Sequence, residues 1–342
     1  MRCLVCIALL GACSSDDGSK QPPLTHDTSL LCPQPAGLPF ELVSWGWTGN
    51  ESIQTDDPRN KDQATDTLGN PNGMQANVFV ADSDSASSDP VSYQGLKART
   101  TLTGGLFGNP VVDEAVSLWT YDGSAWSSKG RAQTGADGTY DFSSTGFVAE
   151  NNKPVYSVLE ADGSCAEHYN LLLPAGSKVV VSDIDGTLTT DDQQELDQIP
   201  DATYVPLMMG HANDMAQAWA DKGYPVIYLT ARPHLFRVET RVWLRDQMFP
   251  TGVLITGNNE SDAATYKTIW LKRMIQTFGW NVVAAYGNAQ TDVDAYNNVG
   301  IPKAQTFIVG PLGSDGMDIA IPNMDYGDHI TSYIDQQPDN TP

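Results

Sequence analysis

The chain has 342 residues, 40% of them hydrophobic and 18% charged, enough for about two domains with ordinary buried cores and too apolar for a disordered polymer. Its formal net charge of −23 excludes a general nucleic-acid binder, which must neutralise phosphates with clustered Lys and Arg. The acidity reads as a solvated surface with a weak preference for divalent cations.

The first thirteen residues, "MRCLVCIALLGAC", have one Arg, an apolar stretch and small residues before a Cys, which is the layout of a secretory leader. Leu10-Gly11-Ala12-Cys13 resembles a bacterial lipobox, so residues 1–13 predict a lipoprotein-type signal segment with Cys13 as the lipidated residue. The expectation is an exported bacterial lipoprotein held at a membrane on the periplasmic or cell-surface side; the alternative is a short frayed N-terminus. Residues 14–34, opening "SSDDGSKQPP", read as a flexible tether. Of five cysteines, Cys32 and Cys165 alone lie beyond the leader, a pair that predicts a disulfide in an oxidising compartment or else two separate buried thiols. No later stretch is long and apolar enough to span a bilayer, which leaves Cys13 as the expected membrane attachment.

From 35 to 175 short apolar patches alternate with Gly, Ser, Thr, Asn and Asp. "AVSLWTY" precedes the turn "DGSAW", and "TGADGTYDF" ends in alternating Tyr140 and Phe142. This texture predicts antiparallel strands in a β-sandwich-like domain, with no cluster that looks catalytic.

From 176 to 342 the pattern changes. "KVVVS", "PVIYL", "GVLIT", "NVVAAY" and "QTFIVG" read as strands alternating with helices. Met208, Ala212, Met215 and Trp219 fall on one helical face with Gly223 as its stop; a second helix is expected from Pro233, carrying Leu235, Val238 and Val242, and a third from about 263 to 278. The predicted fold is α/β, a doubly wound parallel sheet preceded by the all-β domain, with ligands beyond the carboxyl ends of the strands.

The stretch "VVVSDIDGTLTTDD" puts Asp183 at such an end, with Asp185 two residues on. Two carboxylates leaving one buried strand repel unless a proton or a cation relieves them. Mg²⁺ suits the place, because it takes one or two carboxylates plus waters and phosphate oxygens. Gly186 permits a turn whose backbone N–H groups, with those around Thr187, could face an anion.

On these residues the sequence resembles the haloacid dehalogenase superfamily of phosphotransferases. "VIYLTAR" supplies Thr230 in the place of the family's phosphate-binding hydroxyl, and Lys267 in "TYKTIW" that of its phosphate-binding lysine, with Lys272 a second candidate. "AAYGNAQTDVDAY" offers Asn288 and Asp292 for the metal-binding acids. Across roughly 176–315, "DIDGTLT", "YLTARP", "TRVWL" and "TFIVGPLG" are similar to the catalytic domain of lipins and of lipid-transfer proteins with a related C-terminal domain; "GNPVVDEAVSLWTYDGSAW" is similar to the β domain beside such phosphatases.

The resemblance implies an Mg²⁺-dependent phosphatidate phosphatase. Asp183 would be the nucleophile and Asp185 the acid and base. Gly186, Thr187, Thr230 and Lys267 would bind phosphate, and Asp183, Asp185 through its carbonyl, Asn288 and Asp292 the metal. Taken singly, Thr230 and Asp292 could be helix caps and Lys267 surface charge. The expected partner is a phosphatidate-like lipid or another phosphomonoester. A soluble substrate and a phosphatidate-binding module without turnover are the alternatives, although an intact Asp185 favours turnover. The short spacing leaves no room for a large cap domain. Among the arginines after Thr230, namely Arg232, Arg237 and Arg241, the first and last could face an anionic headgroup or simply water; His234 reads as structural or solvated.

Overall fold

A computed structural model describes residues 62–64, 66–71, 75–77, 97–102, 109–110, 113, 115–136, 139–160, 165–198, 204–233, 236–257, 262–310, 312 and 319–340. Cys13, Cys32 and His234 lie outside these residues, as do the leader and the tether; Cys165 is in a strand, its side chain outside the described set.

The upstream strands are β1 (Asp62–Ala64), β2 (Thr67–Gly69), β3 (Gln75–Asn77), β4 (Lys97–Leu102), β5 (Asn109–Pro110), β6 (Ala115–Tyr121), β7 (Trp126–Gln133), β8 (Thr139–Asp141), β9 (Val155–Leu159), β10 (Cys165–His168) and β11 (Asn170–Leu172). One antiparallel sheet has the order β10-β9-β6-β7, and in another β1, β5 and β8 all pair with β4. Alternation turns Val116 and Leu118 of β6 inward against Tyr140 and Phe142 around β8, joined by Ala149 and Val155. Sandwich-like packing of antiparallel sheets is therefore present where the turn pattern placed it.

The second unit is built on a six-stranded parallel sheet ordered β14-β13-β12-β15-β16-β17, formed by β12 (Lys178–Ser182), β13 (Val226–Pro233), β14 (Leu254–Gly257), β15 (Asn281–Gly287), β16 (Thr306–Val309) and β17 (Ile319–Ile321). Its helices are α1 (Gln193–Gln198), α2 (Ala212–Asp221), α3 (Arg237–Asp246), α4 (Ala263–Lys272), α5 (Gln290–Val299) and α6 (Gly327–Ser332). The three valines of β12 serve two cores because successive side chains point to opposite faces. Val179 and Val181 meet Tyr266, Trp270 and Leu271 of α4 and Val293 and Tyr296 of α5. Val180, with Ile184 just beyond the strand, meets Ala212, Met215 and Trp219 of α2. A strand covered on both sides is apolar throughout, as "VVV" is.

The first of these cores also takes in Leu68, Tyr169 and Leu171, upstream of residue 176. Leu68 arrives on β2 and Leu171 on β11, which pair in parallel, and Tyr169 lies just before β11.

Helix boundaries correct two details. Met208 lies before α2 and pairs with Thr189 as an isolated bridge, while Gly223 follows α2 at φ 82°, as a helix stop requires. The helix expected from Pro233 begins at Arg237, because β13 runs on to Pro233, which sits opposite Gly257. No helix among the described residues is long and apolar enough to cross a membrane.

On α6, His329 is enclosed by Tyr286, Phe307, Tyr326 and Tyr333, and its Nε2 meets the Tyr286 hydroxyl at 2.9 Å. Burial pushes its imidazole down to about 4. The unfolded chain takes up this proton near pH 6.5 and the folded chain only near 4, so His329 makes the fold lose stability as pH falls through that window. The loss approaches about 3 kcal/mol. Thermal melts from pH 7 to 4 of the wild type and of His329→Phe should diverge in this sense; parallel curves would disprove the assignment.

Candidate active site at the carboxyl ends of the parallel strands

Asp183 leaves β12 with its backbone N–H donated to the Tyr286 carbonyl at 3.0 Å, which fixes it between β12 and β15. The chain then turns tightly: the N–H groups of Leu188 and Thr189 return to the Ile184 carbonyl at 2.8 and 3.0 Å. Gly186 stands at φ 64°, and a Cβ there would lie 2.0 Å from Asn288 Nδ2 and 2.7 Å from Asp192 Oδ1. Only glycine meets both conditions. Gly287 is constrained by proximity, since a Cβ would lie 2.5 Å from that of Asp292.

Lys267 joins the two deepest acids. Its Nζ lies 2.7 Å from Asp183 Oδ1 and 2.6 Å from Asp292 Oδ1, with all three residues 4% exposed or less. Asp292 Oδ2 accepts the N–H groups of Asn288 and Ala289 at 3.1 and 3.0 Å, so this acid both faces the site and caps α5. Burial raises the Asp183 carboxyl most; Lys267 opposes that rise, and Asp292 and Asp185 add to it, leaving the group at about 8. Burial opposes protonation of Lys267, but Asp183 and Asp292 outweigh it and raise the ammonium above its ordinary range. Lys272 ends α4 outside this contact.

Asp185 turns to a different set of partners. Its Oδ2 accepts the Thr230 hydroxyl at 3.2 Å, and Arg232 grips both oxygens, with Nε at 2.9 Å from each and Nη2 at 2.7 Å from Oδ1. Arg232 Nη1 reaches Gln198 Oε1 at 3.1 Å and Thr240 Oγ1 at 3.2 Å. The guanidinium is buried and committed to protein partners, so the expectation that it faces a headgroup or water is corrected. Arg241 is corrected likewise. It pairs with the fully buried Asp66, donates to the Gly252 carbonyl at 2.5 Å and lies 4.5 Å over the Tyr169 ring.

The turn is less open to an anion than its glycine implied. Gly186 donates its N–H to Thr189 Oγ1 at 3.0 Å and Thr187 donates its own to the Ile184 carbonyl at 3.2 Å. What Thr187 presents is its hydroxyl, 3.4 Å from both Asp183 Oδ2 and Asn288 Oδ1.

Three residues near the site were not singled out from the sequence: Asp192, Glu195 and Gln198. Asp192 Oδ1 accepts from Asn288 Nδ2 at 3.2 Å. Burial first, then the Asp185 charge, push Glu195 up to about 7, with Arg232 pulling the other way. Their spacing of three residues, from Asp192 just before α1 to Gln198 at its end, was the available signal.

Among the described residues no three His, Cys, Asp or Glu side chains form a ready cation cage. Mg²⁺ needs less than that. The oxygen donors Asp183, Asp292 and Asn288 fit it, and a dication would offset the charge that burial, first, and then the neighbouring Asp292 and Asp185 make costly on Asp183. The Asp185 side chain is held by Arg232.

A six-stranded parallel sheet carrying this acid pair at the end of β12 is the α/β arrangement expected of a haloacid-dehalogenase-like domain. More particularly, residues 180–310 match the model described as "PITM 1-3, LNS2 domain", and this segment is an LNS2-type domain. Membrane-associated phosphatidylinositol transfer protein 3 of Mus musculus is 31% identical over 158 residues, 46% of this chain and 15% of that protein. Protein retinal degeneration B of Drosophila melanogaster is 31% identical over 161 residues, 47% of this chain and 12% of that protein. The chain thus spans under a sixth of the length of these relatives. A solved structure of phosphoserine phosphatase in apo form aligns with 46% of this chain and 98% of its own at 13% identity and a TM-score of 0.35. The relatives overturn one expectation: they are eukaryotic membrane-associated proteins, which conflicts with an exported bacterial lipoprotein anchored through Cys13.

Proposed function

We propose that this protein is a phosphomonoester hydrolase of the LNS2 type that acts on phosphatidate or a related lipid phosphate through an aspartyl-phosphate. The observation that carries this reading is the Asp183–Lys267–Asp292 cluster set beside a separately held Asp185. An Asp183 oxygen forms the bond to phosphorus as the ester P–O bond breaks, and Asp185 gives its proton to the departing alkoxide. Asp185 then takes a proton from water, whose oxygen attacks the same phosphorus, releasing phosphate and restoring the Asp183 carboxylate. In this reading the phosphoryl oxygens are held by Lys267 and the Thr187 and Thr230 hydroxyls, which lie against Asp183 and Asp185. Mg²⁺ held by Asp183, the Asp185 carbonyl, Asn288 and Asp292 would shield the phosphate charge from the attacking carboxylate.

A second reading is a phosphatidate-binding module without turnover, favoured by relatives named as phosphatidylinositol transfer proteins. Phosphate release from phosphatidate in mixed micelles and from soluble glycerol phosphate, each with and without Mg²⁺, separates the possibilities. The expected result is Mg²⁺-dependent release from the lipid. Binding without release supports the module, and release from the soluble ester alone removes the lipid assignment.

A further inference from the structure

We infer that Asp66, far upstream of the site, is a positioning residue for Asp185 that acts through α3 and Arg232. The inference rests on the hydrolase reading for its kinetic test and on geometry alone for its spectroscopic one.

Asp66 is fully buried and uses both oxygens. Oδ1 accepts from Tyr169 N at 3.0 Å and Arg237 Nη2 at 2.6 Å; Oδ2 accepts from Leu254 N at 2.8 Å and from Arg241 Nη2. One carboxylate therefore ties α3, through two arginines a turn apart, to the first residue of β14 and to the segment between β10 and β11. Arg237 also donates to the Glu167 carbonyl at 2.9 Å.

Thr240 sits on α3 between those arginines and accepts Arg232 Nη1, while its own hydroxyl donates to the Phe236 carbonyl at 2.7 Å. The far side of the same guanidinium grips Asp185. Two links thus separate the helix that Asp66 anchors from the group that must move a proton. Removing the Asp66 charge leaves Arg237 and Arg241 buried without their counterion, and relieving them requires α3 to move. Thr240 then moves with it, and Arg232 loses one of the two acceptors that fix Nη1.

The test uses the full chain and three variants: Asp66→Asn, the charge-balanced pair Asp66→Asn with Arg241→Met, and Thr240→Val, which strands no charge. In the phosphorylation step, which kcat/KM reports, a misplaced Asp185 harms esters whose leaving group needs a proton and largely spares p-nitrophenyl phosphate, whose phenolate leaves unaided; the later hydrolysis of the aspartyl-phosphate, with Asp185 as base, is common to both esters and enters kcat alone. The expected result is a fall in kcat/KM of at least about tenfold on phosphatidate and under about threefold on p-nitrophenyl phosphate. Equal losses on both esters, or losses on neither in folded variants, overturn the inference. If Asp66→Asn does not fold, the charge-balanced pair decides. If the wild type hydrolyses neither ester, the hydrolase reading fails separately and the Arg232 Nε–Hε NMR signal decides. Its hydrogen exchange should quicken at least about tenfold in all three variants; unchanged exchange overturns the positioning role.

Discussion

Asp183→Asn is expected to lower kcat for phosphate release by at least about a thousandfold while leaving the Tm at pH 7, measured in chelating buffer, unchanged or higher. The amide cannot form the acyl-phosphate, so the chemical step fails even though the amide matches the carboxylate in size. Stability goes the other way because this carboxylate is costly to bury. Its folded value of about 8 lies above its ordinary 3.8, and a raised acid destabilises the fold at every pH above its unfolded value. Lys267 keeps Asp292 as a partner after the substitution. Activity within about tenfold of wild type would remove Asp183 from the reaction, and a large drop in Tm would show that its charge holds the fold together.

Lys267→Met should have the opposite signature. It leaves Asp183 and Asp292 facing each other in a site almost closed to water, with the shared cation gone. Breaking a buried pair from one side costs about 3 to 5 kcal/mol, which in a chain of this size lowers the Tm by roughly 10 °C. Adding Asp292→Asn relieves the repulsion and should restore most of that loss without restoring activity. Calorimetry of the single and double variants checks both halves. A Tm within about 2 °C of wild type for Lys267→Met would mean that the acids are compensated by something else.

The parallel sheet and the ends of its strands were legible because each reports itself locally. "VVV" followed by acid marks a strand buried on both faces and its exit, and Thr230, Lys267 and Asp292 each sit in a short run with its own context. Arg232 and Arg241 were misjudged for the reason that made the others easy: their environment is set elsewhere in the chain. Arg241 meets an acid 175 residues away, and nothing around either residue announces the other. The start of α3 was misplaced because Pro233 favours a first helical turn, while pairing opposite Gly257 keeps it in the strand. Asp192 just before α1 and Glu195 on it were legible by spacing, but in a chain of net charge −23 one more acidic stretch does not stand out.

The reach of Asp66 also bears on the timing of folding. Its carboxylate must meet Leu254, 188 residues later in the chain, so the ribosome emits this part of the core long before its partners exist. The parallel sheet can assemble around β12 only provisionally until that early segment docks, and contacts closed over such distances are slow to form. Nascent chains halted before residue 254 should therefore resemble a partly built core, sensitive to protease and attractive to chaperones, however complete their antiparallel sheets.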